Sequence, residues 1–265
     1  MFEEEKKTGI GMALEGGGSR GAYQVGVMKA FLEAGYCFDG YAGTSIGAIN
    51  AAAFAQGDFQ KTLDMWSSVT TEQLFDADTY KLLKIGEAKW DMQLLTEARV
   101  GLKKIIDEHG VDTSRIREMI NECIDEKKIR ESGCDFGLVT VSTNERKPYE
   151  LFLEDIPQGE LNLYIEASSC LPGFQPLVIG KNSYLDGGLY NNCPTNMLIR
   201  KGYKEIVVVR TKAPGVYRYF TIPKDVKIKM VVPKNDLGNI MIFSPKKIME
   251  NIETGYQDGL KALSV

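Results

Sequence analysis

The chain has 265 residues, a mass of 29.5 kDa and a net charge of −4, from 32 Lys and Arg against 36 Asp and Glu. Hydrophobic residues make up 43% and the charges are mixed along the chain, which excludes a disordered tail and a strongly basic nucleic-acid-binding protein. The five cysteines form no C-x-x-C pair and no apolar run suits a membrane span or a signal peptide, so we expect reduced thiols and one cytoplasmic domain spanning residues 1–265.

The first elements in the chain are two units of strand, glycine-rich loop and helix. A strand over 10–14 leads through the loop 16–21 into a helix with apolar residues at helical spacing. A second strand over 36–42 leads through 43–47 into a helix of small residues over 48–55. Units of this kind are typical of α/β proteins in which the sheet is mainly parallel.

The remainder of the chain alternates helices and strands. Residues from 58 to about 130 have the spacing of amphipathic helices, which would cover one side of the sheet or form a lid over it. Later strands are predicted at 136–141, 149–153, 177–185, 206–209 and 226–232. Helices are predicted near 160–170, 194–202 and 244–262. The sequence therefore predicts an α/β fold.

A G-x-S-x-G pattern over 43–47 lies between the second strand and its helix. In a nucleophile elbow a serine sits on a strained turn that only small neighbours allow, and here those neighbours are Gly43 and Gly47. Ser45 is therefore the candidate nucleophile. The alternative is a glycine-rich turn whose serine has no chemical role.

A serine nucleophile needs a base, and the choice of bases is narrow. His109 is the only histidine and precedes every acidic candidate late in the chain, so the Ser, acid, His order of α/β-hydrolases cannot be assembled. The remaining possibility is a carboxylate that takes the proton directly from the serine. The candidate is Asp186, at the end of a strand where Gly187 and Gly188 permit a sharp exposed turn. An ordinary Asp-Gly-Gly turn is the alternative.

The first glycine loop, 16–21, has the sequence Gly-Gly-Gly-Ser-Arg-Gly. It offers backbone N–H groups, a helix N-terminus and the cation Arg20, a combination that suits the oxyanion of an acyl-transfer intermediate. The same residues also match the G-x-G-x-x-G fingerprint of dinucleotide-binding proteins, with Asp39 at the distance expected of a ribose-binding acid. The serine elbow on the next turn, which a hydride-transfer enzyme does not need, favours acyl transfer.

These loops, taken together with Ala-Ser-Ser-Cys-Leu-Pro at 167–172, resemble the patatin-like phospholipase family in its bacterial-type, single-domain form. In that family of serine acyl hydrolases, related to the cytosolic phospholipase A2 catalytic domain, the blocks run in the order found here. They are G-G-G-x-R/K-G, G-x-S-x-G, A-S-x-x-x-P, D-G-G or D-G-A, and N-x-P, the last present as Asn192-Cys193-Pro194. The resemblance covers a motif core of about 8–212, and the helical region 58–130 would form a cap within it.

The resemblance implies a three-layer α/β sandwich with a mainly parallel central sheet. It also implies that Ser45 is the nucleophile and Asp186 the general base of a dyad without histidine, acting through an acyl-enzyme. The amides of the oxyanion hole would come from the glycine loop, aided by a cation. The residues expected there are Gly16, Gly17, Gly18 and Arg20, and the supporting motif glycines are Gly21, Gly43, Gly47, Gly187 and Gly188.

The expected substrate is therefore a lipid ester, namely a phospholipid, a lysophospholipid or an acylglycerol. The chain has no D-x-D-x-D-G calcium loop and no histidine and cysteine pattern for a transition metal, so we expect no cofactor. Two other functions stay open: a lipid-binding or regulatory protein with weak turnover, and a nucleotide-binding protein that uses the loop 16–21.

Transient contact with a membrane surface is predicted at two places. One is 80–106, where Leu82, Leu83, Trp90, Leu94 and Leu95 lie among lysines, and the other is 241–243, which precedes Pro245-Lys246-Lys247. Basic residues that would favour anionic head groups are Lys227, Lys229, Lys234, Lys246 and Lys247. Helices that face the core and an ordinary solvated surface are the alternatives.

Overall fold

The computed structural model describes residues 7–85, 103, 107 and 109–264. Its strands are β1 (Lys7–Leu14), β2 (Gly40–Gly43), β3 (Asp135–Ser142), β4 (Lys147–Phe152), β5 (Leu177–Ile179), β6 (Asn182–Asp186), β7 (Tyr203–Val209) and β8 (Lys227–Val231). Its helices are α1 (Gly21–Glu33), α2 (Ile46–Ala55), α3 (Phe59–Ser68), α4 (Thr71–Leu74), α5 (Ala77–Ile85), α6 (Ser114–Cys123), α7 (Glu126–Glu131), α8 (Leu161–Ser168), α9 (Thr195–Arg200) and α10 (Pro245–Leu263). Short 3₁₀ helices lie at Gly18–Arg20, Leu153–Asp155 and Gly187–Leu189.

The eight strands form one mixed sheet in the order β5-β6-β3-β2-β1-β7-β8, with β4 paired to β3. The pairs β3-β2, β2-β1, β1-β7 and β7-β8 are parallel, whereas β4 and β6 run antiparallel to β3 and β5 runs antiparallel to β6. The predicted parallel sheet thus forms the centre of the molecule, and an antiparallel extension follows β3.

Helices cover both faces of this sheet. On β1, Met12 and Leu14 point into the larger core, which α1, α2, α8 and α10 cover, while Ala13 points to the opposite face. That second face is packed by Met197 and Leu198 of α9. Because successive strand residues point to opposite faces, a run of apolar residues in each central strand serves both cores. The result is the three-layer α/β sandwich.

Two predicted strands differ from the structure. The run 177–185 is a hairpin of β5 and β6, because Gly180 adopts a positive φ of 61° and turns the chain between Ile179 and Asn182. The second strand begins at Gly40 rather than at 36, since Tyr36 and Phe38 pack their rings around Phe31 instead of entering the sheet.

One strand aligns the two elements that carry the candidate dyad. Strand β4 pairs with β3 along 137–142, so the shorter pairings of β3 with β2 and with β6 must share its other edge. There Leu138 pairs with Gly43 at the end of β2, and Thr140 pairs with Asp186 at the end of β6. Strands β2 and β6 therefore approach each other end to end, and the residues that follow β2 meet the last residue of β6.

Candidate active site

Ser45 occupies the turn between β2 and α2. Its φ is 57° and its ψ is −129°, a strained conformation for a residue with a side chain. A Cβ atom added at Gly43 would lie 2.1 Å from the carbonyl oxygen of Gly47, and one added at Gly47 would lie 2.4 Å from that of Leu14. The two glycines thus let the backbone fold closely enough to form the elbow predicted from the sequence.

The elbow is held from the side by α8. The backbone N–H of Ser45 donates to Ser168 Oγ at 2.9 Å, and the Ser168 side chain is fully buried. Thr44 Oγ1 donates to the carbonyl of Asn191 at 2.8 Å, which ties the same turn to the segment after Asp186. These bonds fix the backbone of Ser45 and leave its hydroxyl for other partners.

Asp186 ends β6 and is only 3% exposed. Its Oδ1 accepts the N–H of Gly188 at 2.6 Å, whereas Oδ2 is buried and has no hydrogen-bond partner among the described residues. Burial raises the pKa of Asp186 to about 6, although its interactions with the Ser45 hydroxyl and the Gly188 N–H act in the opposite direction. The carboxylate is therefore poised near neutral pH with an oxygen free to take a proton.

The glycine loop supplies two unused N–H groups beside this pair. Gly18 has a φ of 53°, and a Cβ atom there would lie 2.0 Å from the carbonyl oxygen of Ile240. Gly17 and Gly18 donate their amides to no acceptor among the described residues, while Ser19 N donates to the Ile240 carbonyl at 2.8 Å. The two free amides lie in the loop that leads into α1, where backbone donors suit an anion.

Two residues expected at the anion site have other partners. The amide of Gly16 donates to the carbonyl of Asn192 at 2.9 Å, so it is already used. Arg20 directs its guanidinium away from Ser45: Nε donates to the Gly238 carbonyl at 2.8 Å and Nη1 to the Lys212 carbonyl at 2.7 Å. Arg20 thus ties the glycine loop to two neighbouring loops and lines neither cavity next to Ser45.

Glu15, which precedes the glycines, is completely buried and fully partnered. It forms an ion pair with Arg210 and accepts the N–H groups of Thr211 at 2.8 Å and Ala213 at 3.2 Å, together with the hydroxyl of Tyr217. The Glu15 carboxylate therefore points away from the free amides and holds the segment after β7 against the glycine loop.

Two cavities meet at Ser45. The first, the apolar cavity, encloses about 570 Å³ of unoccupied space including its open part, and is walled by side chains of α2, α3, α6 and the segment before α10. Its principal apolar lining residues are Ile46, Ile49, Met65, Trp66, Val69, Leu74, Phe75, Ile116, Met119, Phe174 and Phe243. The second, the Asp186 cavity, encloses about 460 Å³ and is lined by Asp186, Gly17, Gly18, Asn192, Ala213 and Pro214 among others. Both cavities are lined by Gly18, Ser45, Leu171, Ile240 and Met241, so a ligand can place one part in each.

The remaining predicted site residues have supporting positions. Gly21 opens α1 against Ile46 and Trp66, and Gly187 carries the turn after Asp186 close to the Val139 carbonyl. Gly188 donates to Asp186 as described. His109 is exposed and lines neither cavity. In the described part of the chain, no group of three or more His, Cys, Asp and Glu side chains is placed to hold a metal ion.

The structure does not support the dinucleotide-binding interpretation, because Asp39 lies away from the glycine loop. Asp39 precedes β2 and its Oδ2 accepts the N–H of Ile10, near the start of β1. The glycine loop follows Leu14 at the other end of β1, so about four residues of strand, or roughly 13 Å, separate Asp39 from the loop. A ribose held by that loop would not reach Asp39.

The membrane-contact segments predicted from the sequence have different outcomes. Met241 and Phe243 line the apolar cavity, and Phe243 stacks on Trp66 with ring centroids 6.2 Å apart, so this stretch faces inward. Most of 80–106, including Trp90, Leu94 and Leu95, lies outside the described residues. None of the described helices combines the length and apolar character that crossing a membrane requires.

Three residues with structural roles at the site were not singled out by the sequence. Ser168 and Asn192 lie in the A-S-x-x-x-P and N-x-P blocks, so the motifs pointed to their segments but not to their bonds with Ser45 and Gly16. Ile240 lines both cavities and accepts the Ser19 amide, and it belongs to no motif.

Comparisons with known proteins identify the family of the chain. The family model of the patatin-like phospholipases matches residues 12–199, and the chain therefore belongs to the patatin-like phospholipase family. The family resemblance, the α/β fold and the enzyme class predicted from the motifs are confirmed at the level of the family.

Individual relatives are distant and longer. The uncharacterized protein YjjU of Escherichia coli (strain K12) is 29% identical over 211 residues, which is 78% of this chain and 53% of that protein. The neuropathy target esterase sws of Drosophila melanogaster is 29% identical over 213 residues, 76% of this chain and 13% of that protein. The crystal structure of the type III effector protein ExoU has the same fold, with a TM-score of 0.50 and 13% identity over 98% of this chain and 53% of that one. The chain thus spans between about an eighth and about half of the length of these proteins.

Proposed function

We propose that the protein is a serine acyl hydrolase that cleaves the carboxylic ester bonds of lipids, with Ser45 as nucleophile and Asp186 as general base. The observation that carries the proposal is the unpartnered, buried Oδ2 of Asp186 beside the Ser45 hydroxyl. A buried carboxylate without a partner is costly, and such groups are concentrated where chemistry requires them.

In the proposed reaction the Ser45 hydroxyl oxygen attacks the ester carbonyl carbon while its proton passes to the Asp186 carboxylate. The negative charge that develops on the carbonyl oxygen is stabilised by the N–H groups of Gly17 and Gly18, which donate to no acceptor in the described part of the chain. The C–O bond to the alcohol then breaks, and the alcohol leaves with the proton from Asp186. Water attacks the acyl-enzyme, gives its proton to Asp186, and Ser45 recovers that proton as the acid departs.

The two cavities are suited to different parts of the proposed substrate. The apolar cavity suits an acyl chain, because its walls are almost entirely hydrophobic side chains. The Asp186 cavity, with Asn192 and the backbone of the glycine loop, suits the ester's alcohol portion and the attacking water. A long-chain lipid ester fits this division, whereas a nucleotide does not, since the glycine loop lies far from Asp39.

The experiment that tests the proposal is intact mass measurement after treatment with a fluorophosphonate probe. Wild type should gain one adduct, Ser45→Ala none, and Asp186→Asn should react far more slowly. Ser67→Ala and Asp64→Asn, both on the exposed side of α3, are the matched controls and should label like wild type. Release of p-nitrophenol from acyl esters, followed in parallel, should show the same ranking. An adduct that persists in Ser45→Ala would refute the assignment of the nucleophile.

A lipid-binding protein with weak turnover is the competing function. The apolar cavity supports binding as readily as catalysis, so the two functions differ only in what Ser45 does. If fatty acid binding survives in Ser45→Ala and no adduct or ester cleavage is found in folded wild type, the binding function replaces the hydrolase.

A further inference from the structure

Residues 211–224, here called the rim segment, form most of the connection between β7 and β8, which continues with Asp225, paired with Lys204, and Val226. The sequence is Thr-Lys-Ala-Pro-Gly-Val-Tyr-Arg-Tyr-Phe-Thr-Ile-Pro-Lys. It contains the three basic residues Lys212, Arg218 and Lys224 and no acidic residue, in a chain whose net charge is −4. The rim segment is therefore a local positive region on an acidic protein.

The rim segment also exposes apolar side chains. Tyr219 is fully exposed, Ile222 is 48% exposed and Val216 is 46% exposed, and Phe220 has more than a third of its surface in contact with solvent. Leu189, from the turn after Asp186, adds another side chain that is 46% exposed. Single exposed apolar residues need no explanation, but this number in one short segment marks an interaction surface.

The rim segment is attached directly to the catalytic turn. Val216 N donates to the Gly188 carbonyl at 2.8 Å, and Asn192 N donates to the Val216 carbonyl at 2.7 Å. The Tyr217 hydroxyl, which donates to Glu15, lies 2.7 Å from the carbonyl oxygen of Ala213, and Ala213 itself lines the Asp186 cavity. The exposed side chains are thus carried on a braced backbone beside the opening that leads to Ser45.

We propose that the rim segment docks on an anionic lipid surface and places the opening of the Asp186 cavity against it. Tyrosine and phenylalanine beside lysine and arginine are the side chains that bind a lipid interface, the rings entering the head-group layer and the cations pairing with lipid phosphates. A purely apolar partner surface would not use the three cations. The proposal rests on the proposed lipid hydrolase function for its purpose, but its binding step is independent of catalysis.

Arg218 fits this role in particular. Its guanidinium lies over the ring of Tyr190 with Cζ 4.6 Å from the centroid, and it has no carboxylate partner among the described contacts. The nearby Glu150 is paired with Arg200 instead. The Arg218 charge is consequently positioned by a ring and remains available to a phosphate.

The test is co-sedimentation with vesicles of phosphatidylcholine alone and of phosphatidylcholine with about a third phosphatidylglycerol, at low and at high salt. Every protein carries Ser45→Ala, so that turnover cannot alter the vesicles. The parent should bind the anionic vesicles, and added salt should release it. Arg218→Gln with Lys224→Gln should weaken binding about 25-fold, from about fivefold per charge. Tyr219→Ser with Phe220→Ser and Ile222→Ser should weaken it at least about tenfold.

Matched controls carry equal changes on other surfaces. Lys127→Gln with Lys261→Gln removes two exposed lysines, and Val178→Ser with Met230→Ser and Met249→Ser removes three exposed apolar side chains. Both controls should bind as the parent does. In the presence of an intact Ser45, the rim variants should cleave a soluble short-chain ester at the wild-type rate.

Three results would overturn the proposal. They are no binding of the parent to anionic vesicles at low salt, equal loss of binding in rim and control variants, and dimerisation in gel filtration that only the rim variants abolish, which would assign the surface to a second copy of the chain. If the wild type binds vesicles but cleaves no ester, the hydrolase function is rejected and the docking surface remains supported.

Discussion

Two buried carboxylates, those of Glu15 and Asp186, lie at the ends of strands and have opposite surroundings. Glu15, after β1, has an arginine partner and three further hydrogen-bond donors. Among the residues that the structure describes, Asp186, at the end of β6, accepts one N–H on one oxygen and no hydrogen bond on the other. Burial alone therefore does not mark a catalytic acid: Glu15 has the partners of a structural anchor, whereas Asp186 has the unsatisfied oxygen that the proposed base requires.

The largest effect that separates these two carboxylates is on turnover. Asp186→Asn keeps the acceptor for Gly188 N–H but removes the base, so kcat on a p-nitrophenyl ester should fall by about 10⁴-fold with little change in KM. Glu15→Gln removes a charge that no substrate contacts, and kcat should fall by about tenfold or less. A steady-state comparison of the two folded variants checks this, and equal losses would show that the distinction between anchor and base is wrong.

The loop that Glu15 anchors provides the next effect. In Gly18→Ala the new methyl group would lie 2.0 Å from the Ile240 carbonyl oxygen, which displaces one of the two free amides. Loss of an oxyanion donor lowers kcat by about 10²–10³-fold, and we expect that range. Gly35→Ala is the matched control, because Gly35 also has a positive φ, 81°, but no atom within 4 Å of a Cβ. If both variants lose activity equally, general backbone strain is the cause and the amides are not donors.

The free energy of unfolding should change in opposite directions when each of the two carboxylates is replaced by an amide. The pKa of Asp186 lies at about 6 in the folded protein, above the 3.8 of an exposed aspartate, so its ionisation costs about 3 kcal/mol of folding free energy above pH 6. Asp186→Asn should therefore stabilise the protein by that amount at pH 8, and the gain should disappear near pH 4. Glu15→Gln strands the Arg210 guanidinium and should destabilise by about 3 kcal/mol at pH 8. Urea unfolding at both pH values measures both signs, and a destabilised Asp186→Asn would contradict the account.

The sequence predicted the turns of this site better than the way in which the folded chain brings them together. Glycines at the ends of the first two strands and after Asp186 marked three turns, because close backbone approach and positive φ leave a signal in composition. The shared edge of β3 left none, since it depends on pairings between residues far apart in the sequence, Gly43 with Leu138 (138 − 43 = 95 positions) and Thr140 with Asp186 (186 − 140 = 46 positions). The shared edge of β3, which brings Asp186 to Ser45, is therefore visible only in the folded chain.

Arg20 and the rim segment show that the sequence also does not predict the direction of individual side chains. A cation in a glycine loop suggests an anion site, yet four contacts to neighbouring loops direct the Arg20 side chain elsewhere. The apolar stretch 241–243 suggested a membrane contact and instead walls a cavity, whereas the exposed rings of 211–224 drew no attention in the sequence. Side-chain direction is set by tertiary packing, so local pattern cannot supply it.

The pH dependence of the reaction is the smallest effect and separates the two carboxylates without disturbing the fold. A base whose pKa is about 6 must be ionised to act, so kcat/KM should be constant above pH 7 and should fall about tenfold per pH unit below 6. An exposed aspartate would place the same fall near pH 4, so the position of the limb reports the desolvation of Asp186 directly. The limb should stay at about 6 in Glu15→Gln, because that carboxylate holds the loop rather than the proton. A soluble ester and a short assay at each pH keep substrate binding and unfolding out of the measurement. A profile that is flat down to pH 4 would remove Asp186 from the role of base, whatever the Ser45 variants show.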